Sequence, residues 1–128
     1  MSFCYAEKII TEFGSLQGLE LSLASGAVCF ERDDGEVCCV EIKNNGENIL
    51  LYYSFCEADR VGSADMNKFM EINASYSVMQ GAWFGLHQAT QSYKIFKVLQ
   101  VDFLTADLMR EYLKGLINLV GELKKIFH

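Results

Sequence analysis

Phe69-Met70-Glu71-Ile72-Asn73-Ala74, followed by Gly81-Ala82-Trp83-Phe84-Gly85-Leu86, decides how this chain folds. The first stretch reads as an apolar helix and the second as a short glycine-flanked strand, with a turn between them. At about 100° per residue, Met66, Phe69, Met70, Ile72, Ala74 and Tyr76 sweep well over half the helical wheel, with Asn73 inside that arc. A helix so widely apolar has more to bury than one sheet can cover, which requires a second surface. In the strand, Trp83 and Phe84 point to opposite faces, so one of them meets the helix or a second subunit.

Working outward, the last helix, from about Ala106 to Phe127, is the clearest element. Leu108, Met109, Tyr112, Leu113, Leu116, Ile117, Leu119, Val120, Leu123, Ile126 and Phe127 fill one half of its wheel, with charges on the other. Thr105 is placed to cap it, Asp107 lies in its first turn, and Lys124 and Lys125 lie in its last, as the helix dipole prefers. Gly115 and Gly121 each cost this helix about 1 kcal/mol relative to Ala, and nothing in the sequence explains them beyond close packing. At the other end, residues 3–13 form a helix with Phe3, Tyr5, Ala6, Ile9, Ile10 and Phe13 on one face, started by Ser2 and ended by Gly14.

Between these lie strands at Ala27–Arg32, Val37–Lys43 and Asn48–Phe55, joined by Asp33-Asp34-Gly35-Glu36 and Asn44-Asn45-Gly46, both turn-forming. Neither face of the third strand is fully polar, which marks a central strand or a face awaiting a partner. The middle helix runs from about Asp65 to Met79 and stops near Gly81. Strands at Ala82–His87 and Tyr93–Phe103 follow. The order α-β-β-β-α-β-β-α predicts an α+β fold: a mostly antiparallel twisted sheet packed with helices, as a single domain over residues 1–128.

Composition narrows the function. The chain has 128 residues, is 51% hydrophobic, and contains no proline to interrupt its elements. No run approaches the roughly 18 apolar residues of a membrane span, and the start lacks the basic stretch and apolar region of an export signal. Net charge is −6, with 5 basic and 13 acidic residues in positions 1–90. An acidic front argues against nucleic acid and favours a basic or apolar partner. The five cysteines form no CxxC pair, and their odd number points to reduced thiols and a cytoplasmic home. Cys38 and Cys39 fall on opposite strand faces, so they do not share a metal.

Catalytic patterns are missing: no phosphate-binding loop, no GxGxxG, no HExxH and no GxSxG. The two histidines are His87 and the terminal His128. His87 reads as a partly exposed strand residue rather than half of a Cys-His pair, and Asp33-Asp34 as turn chemistry rather than a cation site. Neither an enzyme, a metal nor a cofactor is supported. Asn73 has two readings, a side chain bonded to nearby backbone or a polar contact that sets register between two subunits.

The pattern Phe69-Met70-Glu71-Ile72-Asn73, then Gly81-Ala82-x-x-Gly85-Leu86, resembles the class I type III secretion chaperones, the Tir chaperone family of effector chaperones. The order of elements fits that family along nearly the whole chain. His87 stands where Asp is common, and the link before the strand lacks paired glycines. The resemblance implies a bacterial cytoplasmic α+β homodimer whose middle helix and following strand form the contact, here Met66, Phe69, Met70, Asn73, Trp83 and Phe84. The apolar face of the first helix is core by default. The resemblance also implies that the first helix and nearby strands, here Phe3, Ile9, Ile10, Phe13, Val28 and Phe30, receive the N-terminal region of one or more secreted effectors. That region is held extended and export-ready, without ATP. The competing reading is a small regulatory or adaptor domain of similar fold that binds a folded partner.

Overall fold

The computed structural model describes residues 2–16, 27–31 and 36–127, the side chains of residues 2–4 and of Phe30 excepted. The expected cap at Ser2, the end of the first strand at Arg32, and the Asp33-Asp34-Gly35 turn lie outside the described residues or side chains.

The helices are α1 (Ser2–Leu16), α2 (Ser63–Asn73), α3 (Tyr76–Met79) and α4 (Ala106–Ile126). The strands are β1 (Ala27–Glu31), β2 (Val37–Lys43), β3 (Asn48–Glu57), β4 (Trp83–His87) and β5 (Ser92–Gln100). All neighbours in the sheet are antiparallel, in the order β1-β2-β3-β5-β4. This is the α+β architecture the sequence implies, and β3 holds the central place that its two-sided apolar pattern predicts.

Alternation along the strands builds two unlike faces. Val40, Ile49, Leu51, Tyr53, Phe55, Phe84, Ile95 and Leu99 form the inner face, joined in one core with Ile10 and Phe13 of α1 and Met109, Leu113, Leu116, Val120 and Leu123 of α4. The period of 3.6 in α4 and of 2 in the strands meet there. Tyr5 fastens α1 to the chain before α4, its hydroxyl donating to the Leu104 carbonyl at 3.0 Å. Thr105 Oγ1 accepts from the Leu108 N–H at 3.1 Å, capping α4 as the sequence predicts.

Three boundaries differ from expectation. The middle helix breaks after Asn73: Ser75 is extended, and α3 is a separate short turn. Asn and Ser favour local side-chain bonds over helical continuation, and Asn73 spends its amide on β4 instead. Gly14 does not end α1, which continues to Leu16. The last strand stops at Gln100 because the chain turns at Val101–Leu104, where Phe103 adopts a left-handed φ of 65°.

The cysteine expectation is also corrected. Cys29 and Cys39 are joined in a disulfide, while Cys38 and Cys56 are not disulfide-bonded. Their strands are neighbours and the register sets Cys29 directly opposite Cys39, with Cα atoms 4.0 Å apart. An odd total did not reveal a pair created by register. Cys38 and Cys39 do take opposite faces: Cys38 joins the core and Cys39 the outer face.

Candidate functional site

The outer face of the sheet is built by the alternate residues. A row of rings crosses it: Trp83 stacks on Phe96 with centroids 5.7 Å apart, Phe96 on Tyr52 at 5.3 Å, and Tyr52 lies 5.5 Å from His87. Gly85 makes the row possible. A Cβ at that position would come 2.8 Å from the Phe96 ring. The row ends in half-exposed Trp83, and exposed Val98 lies beyond it on β5. Sequence reasoning singled out Trp83 alone, since strand pairing was needed to place Phe96 and Tyr52 beside it.

Charge on this face is unevenly partnered. The Tyr52 hydroxyl donates to Glu41, whose other oxygen meets Lys43 Nζ at 2.9 Å. Burial alone would raise the Glu41 pKa. The hydrogen bonds from Tyr52 and Lys43 outweigh it and hold the carboxyl below its usual range. Burial, then the Glu41 contact, pushes the Tyr52 phenol upward. Lys94 is buried beside them, with Nζ 5.9 Å from the Tyr52 ring centroid and no hydrogen bond or ion pair among the described residues. Burial pulls its pKa down, against the attraction of Glu57 and Glu36.

A cavity of 930 Å³ opens beside this face, lined by Cys29, Cys39, Tyr52, His87 and Lys94 among others. His87 is half-buried, with Nδ1 2.8 Å from Thr90 Oγ1, so it sits as a structural strand residue. No group of three or more His, Cys, Asp or Glu among the described residues could hold a metal. No described helix is long and apolar enough to cross a membrane.

The residues assigned to subunit contact divide into two groups. Phe69 and Phe84 are buried and stack at 4.4 Å, in a cluster with Phe55, Tyr93 and Phe127. Asn73 bonds both backbone groups of Phe84. This is the first of the two readings of Asn73, a side chain bonded to nearby backbone. Met66, Met70 and Trp83 stand at the surface, Met70 being 65% exposed.

Those assigned to effector binding divide likewise. Ile9, Ile10 and Phe13 are sealed in the core of the single chain, and Val28 is half-buried. The side chains of Phe3 and Phe30 lie outside the described set. Exposed on α1 are Tyr5 and Leu16. Among the described residues, strand β1 has β2 as its one neighbour in the sheet and stands at its edge.

The two edges of the sheet differ. At β4, the Asn73 amide occupies the outward N–H and C=O of Phe84, as a paired strand would. At β1, no described side chain does this. The fold and these surfaces define a small protein-binding module, with an aromatic sheet face and, at β1, an edge that no described strand covers.

Comparison with known proteins agrees. A family model described as the Tir chaperone protein (CesT) family matches residues 8–124. This chain therefore belongs to that family of chaperones. No curated protein matches it at the level of sequence. Its fold is similar to a chain of the ExsC–ExsE complex, with a TM-score of 0.83 and 17% identity, covering 96% of this chain and 93% of that one. It is also similar to a chain of the HopA1–SchA chaperone–effector complex, with a TM-score of 0.79 and 14% identity, covering 98% and 97%. A third similar structure is the Yersinia pestis type III secretion chaperone SycH with a fragment of YscM2, at a TM-score of 0.70 and 13% identity, covering 92% and 98%.

Proposed function

We propose that this protein is a type III secretion chaperone. It binds the N-terminal region of one or more effectors in extended form and keeps them soluble and competent for export. It works by binding, without catalysis, ATP or a cofactor, in the bacterial cytoplasm. The observation that carries this reading is membership of the Tir chaperone family over residues 8–124, on a fold whose similar structures include chaperone–effector complexes.

The surfaces support a division of labour. The outer face around Trp83, with Met66 and Met70, is the contact for a second copy. Phe69, Phe84 and Asn73 hold that surface in place from behind. The client lies along β1 and the exposed flank of α1, where main-chain bonds give sequence-tolerant affinity and side-chain pockets give selectivity. Phe3, Val28 and Phe30 remain its contacts, while Ile9, Ile10 and Phe13 shape the surface from beneath.

Light scattering on a sizing column tests both parts, with the protein alone and co-expressed with N-terminal fragments of secreted substrates from the same bacterium. The expected result is a dimer that retains one fragment in protease-sensitive, extended form. A strict monomer that retains none of the fragments overturns the reading.

A further inference from the structure

We propose that the Cys29–Cys39 disulfide is a reversible thiol-exchange site that pins the edge strand β1 to the sheet. Cys29 is the central residue of β1 and is exposed, whereas Cys39 on β2 is 4% exposed. Both line the 930 Å³ cavity, so a small thiol can reach the bond. The two residues face each other in the ladder with Cα atoms 4.0 Å apart, and the bridge closes a segment of sequence separation 10. That segment is the β1–β2 hairpin alone. Opening the bridge therefore leaves the β3–β5–β4 part of the sheet and the helices with every contact they had.

The surroundings direct the reaction to one sulfur. A thiolate of the glutathione class attacks the exposed Cys29 Sγ. The S–S bond breaks and its electron pair leaves on Cys39 Sγ, which takes a proton from solvent. A second such thiolate attacks the outer sulfur of the mixed disulfide, releasing Cys29 as a thiolate. Two small thiols become one disulfide, and two electrons pass to the protein. The other described thiols compete poorly. Cys38 points into the core, and Cys56, which lines the same cavity, has its thiol pushed up by burial and by Asp65, hence protonated at neutral pH.

A bridged β1 is a strand already held in pairing geometry. Among the described residues, a released β1 is held to the sheet by its five-residue ladder to β2. On the chaperone reading above, on which this consequence rests, the oxidised protein presents a preorganised edge and holds its client more tightly. In a reducing cytoplasm such bonds are transient and report redox state.

The test equilibrates the full chain in glutathione buffers of graded oxidation and maps linkages by peptide mass after alkylation. The Cys29–Cys39 link should open and close reversibly, with Cys29 alkylated before Cys39. Hydrogen exchange at Ala27–Glu31 should speed by about tenfold on reduction, with β3 and β5 unchanged. Cys29→Ser should show the reduced pattern in every buffer. Failure of the link to form in fully oxidised glutathione overturns the proposal, as does unaltered exchange in β1 when it forms. Client capture is read in the same samples. Its absence in both redox states counts against the chaperone reading, while linkage and exchange decide the thiol site independently.

Discussion

Asn73 closes one edge of the sheet through Phe84: its Oδ1 accepts from the Phe84 N–H at 2.8 Å and its Nδ2 donates to the Phe84 carbonyl at 3.3 Å. The side-chain amide thus replaces one rung of an absent strand and ties α2 to β4. Asn73→Ala leaves two backbone groups without these partners and should cost about 1–3 kcal/mol in urea unfolding. Asn73→Asp keeps the acceptor and loses the donor, so it should fall between. A cost under about 0.5 kcal/mol for the alanine variant would contradict this account.

The same pair marks where sequence reading stopped. The 3.6-residue period of α4 and the alternation of β2 and β3 were legible because each buries a face that its own residues define. Ile9, Ile10 and Phe13 were legible as an apolar face with the core as its default place, and burial under α4, distant in sequence, settles that they are core rather than groove. The aromatic row needed the pairing of β3, β5 and β4. The disulfide had a signal that passed unused: Cys29 and Cys39 are equidistant from position 34, so a hairpin centred there pairs them. Asn73 competes for its own helix and for β4, and local propensity alone does not say which prevails.

Burial and exposure separate two aromatic positions. Phe69 is 2% exposed and packs on four rings, so Phe69→Ala should cost about 3–5 kcal/mol of stability. Trp83 is 38% exposed and, among the described residues, stacks on Phe96 alone, so Trp83→Ala should cost each copy only about 1 kcal/mol. The tryptophan variant should nonetheless weaken self-association in sedimentation equilibrium. Undiminished association would remove the outer face from the proposed dimer.

Glu41 gives stability a defined acid dependence. Its folded pKa lies below the unfolded value of about 4.3, so the contribution is present above that pH and is lost as pH falls through the folded pKa. Tyr52→Phe removes the donated hydrogen bond and should cost about 1.5 kcal/mol at pH 7. The cost should shrink as Glu41 protonates. Urea midpoints of both proteins between pH 7 and pH 3 check it, and a pH-independent difference would exclude the ionised pair.

Lys94 also makes stability rise with pH, but it costs stability where Glu41 adds it. Its folded pKa is depressed, so the unfolded chain binds the proton more tightly and stability rises with pH up to the unfolded value of about 10.4. Lys94→Met fills similar space without a partly desolvated ammonium and should stabilise the protein by about 1 kcal/mol at pH 7. It should also flatten the alkaline rise. Destabilisation instead would mean that the ammonium has a partner in the assembled protein.

Gly115 and Gly121 lie on the solvent side of α4, and a Cβ at either would meet no atom within 4 Å. Close packing within the chain therefore does not explain them. Each leaves the helix with extra freedom to lose on folding, so Gly115→Ala and Gly121→Ala should each add about 0.5–1 kcal/mol of stability. Nothing in the fold opposes that gain, and the two should add, being on separate turns with no shared neighbour. Self-association and client capture should be unchanged if this face looks only at water. If either falls while stability rises, the bare backbone at these positions is a contact surface, and the glycines are kept for what docks there.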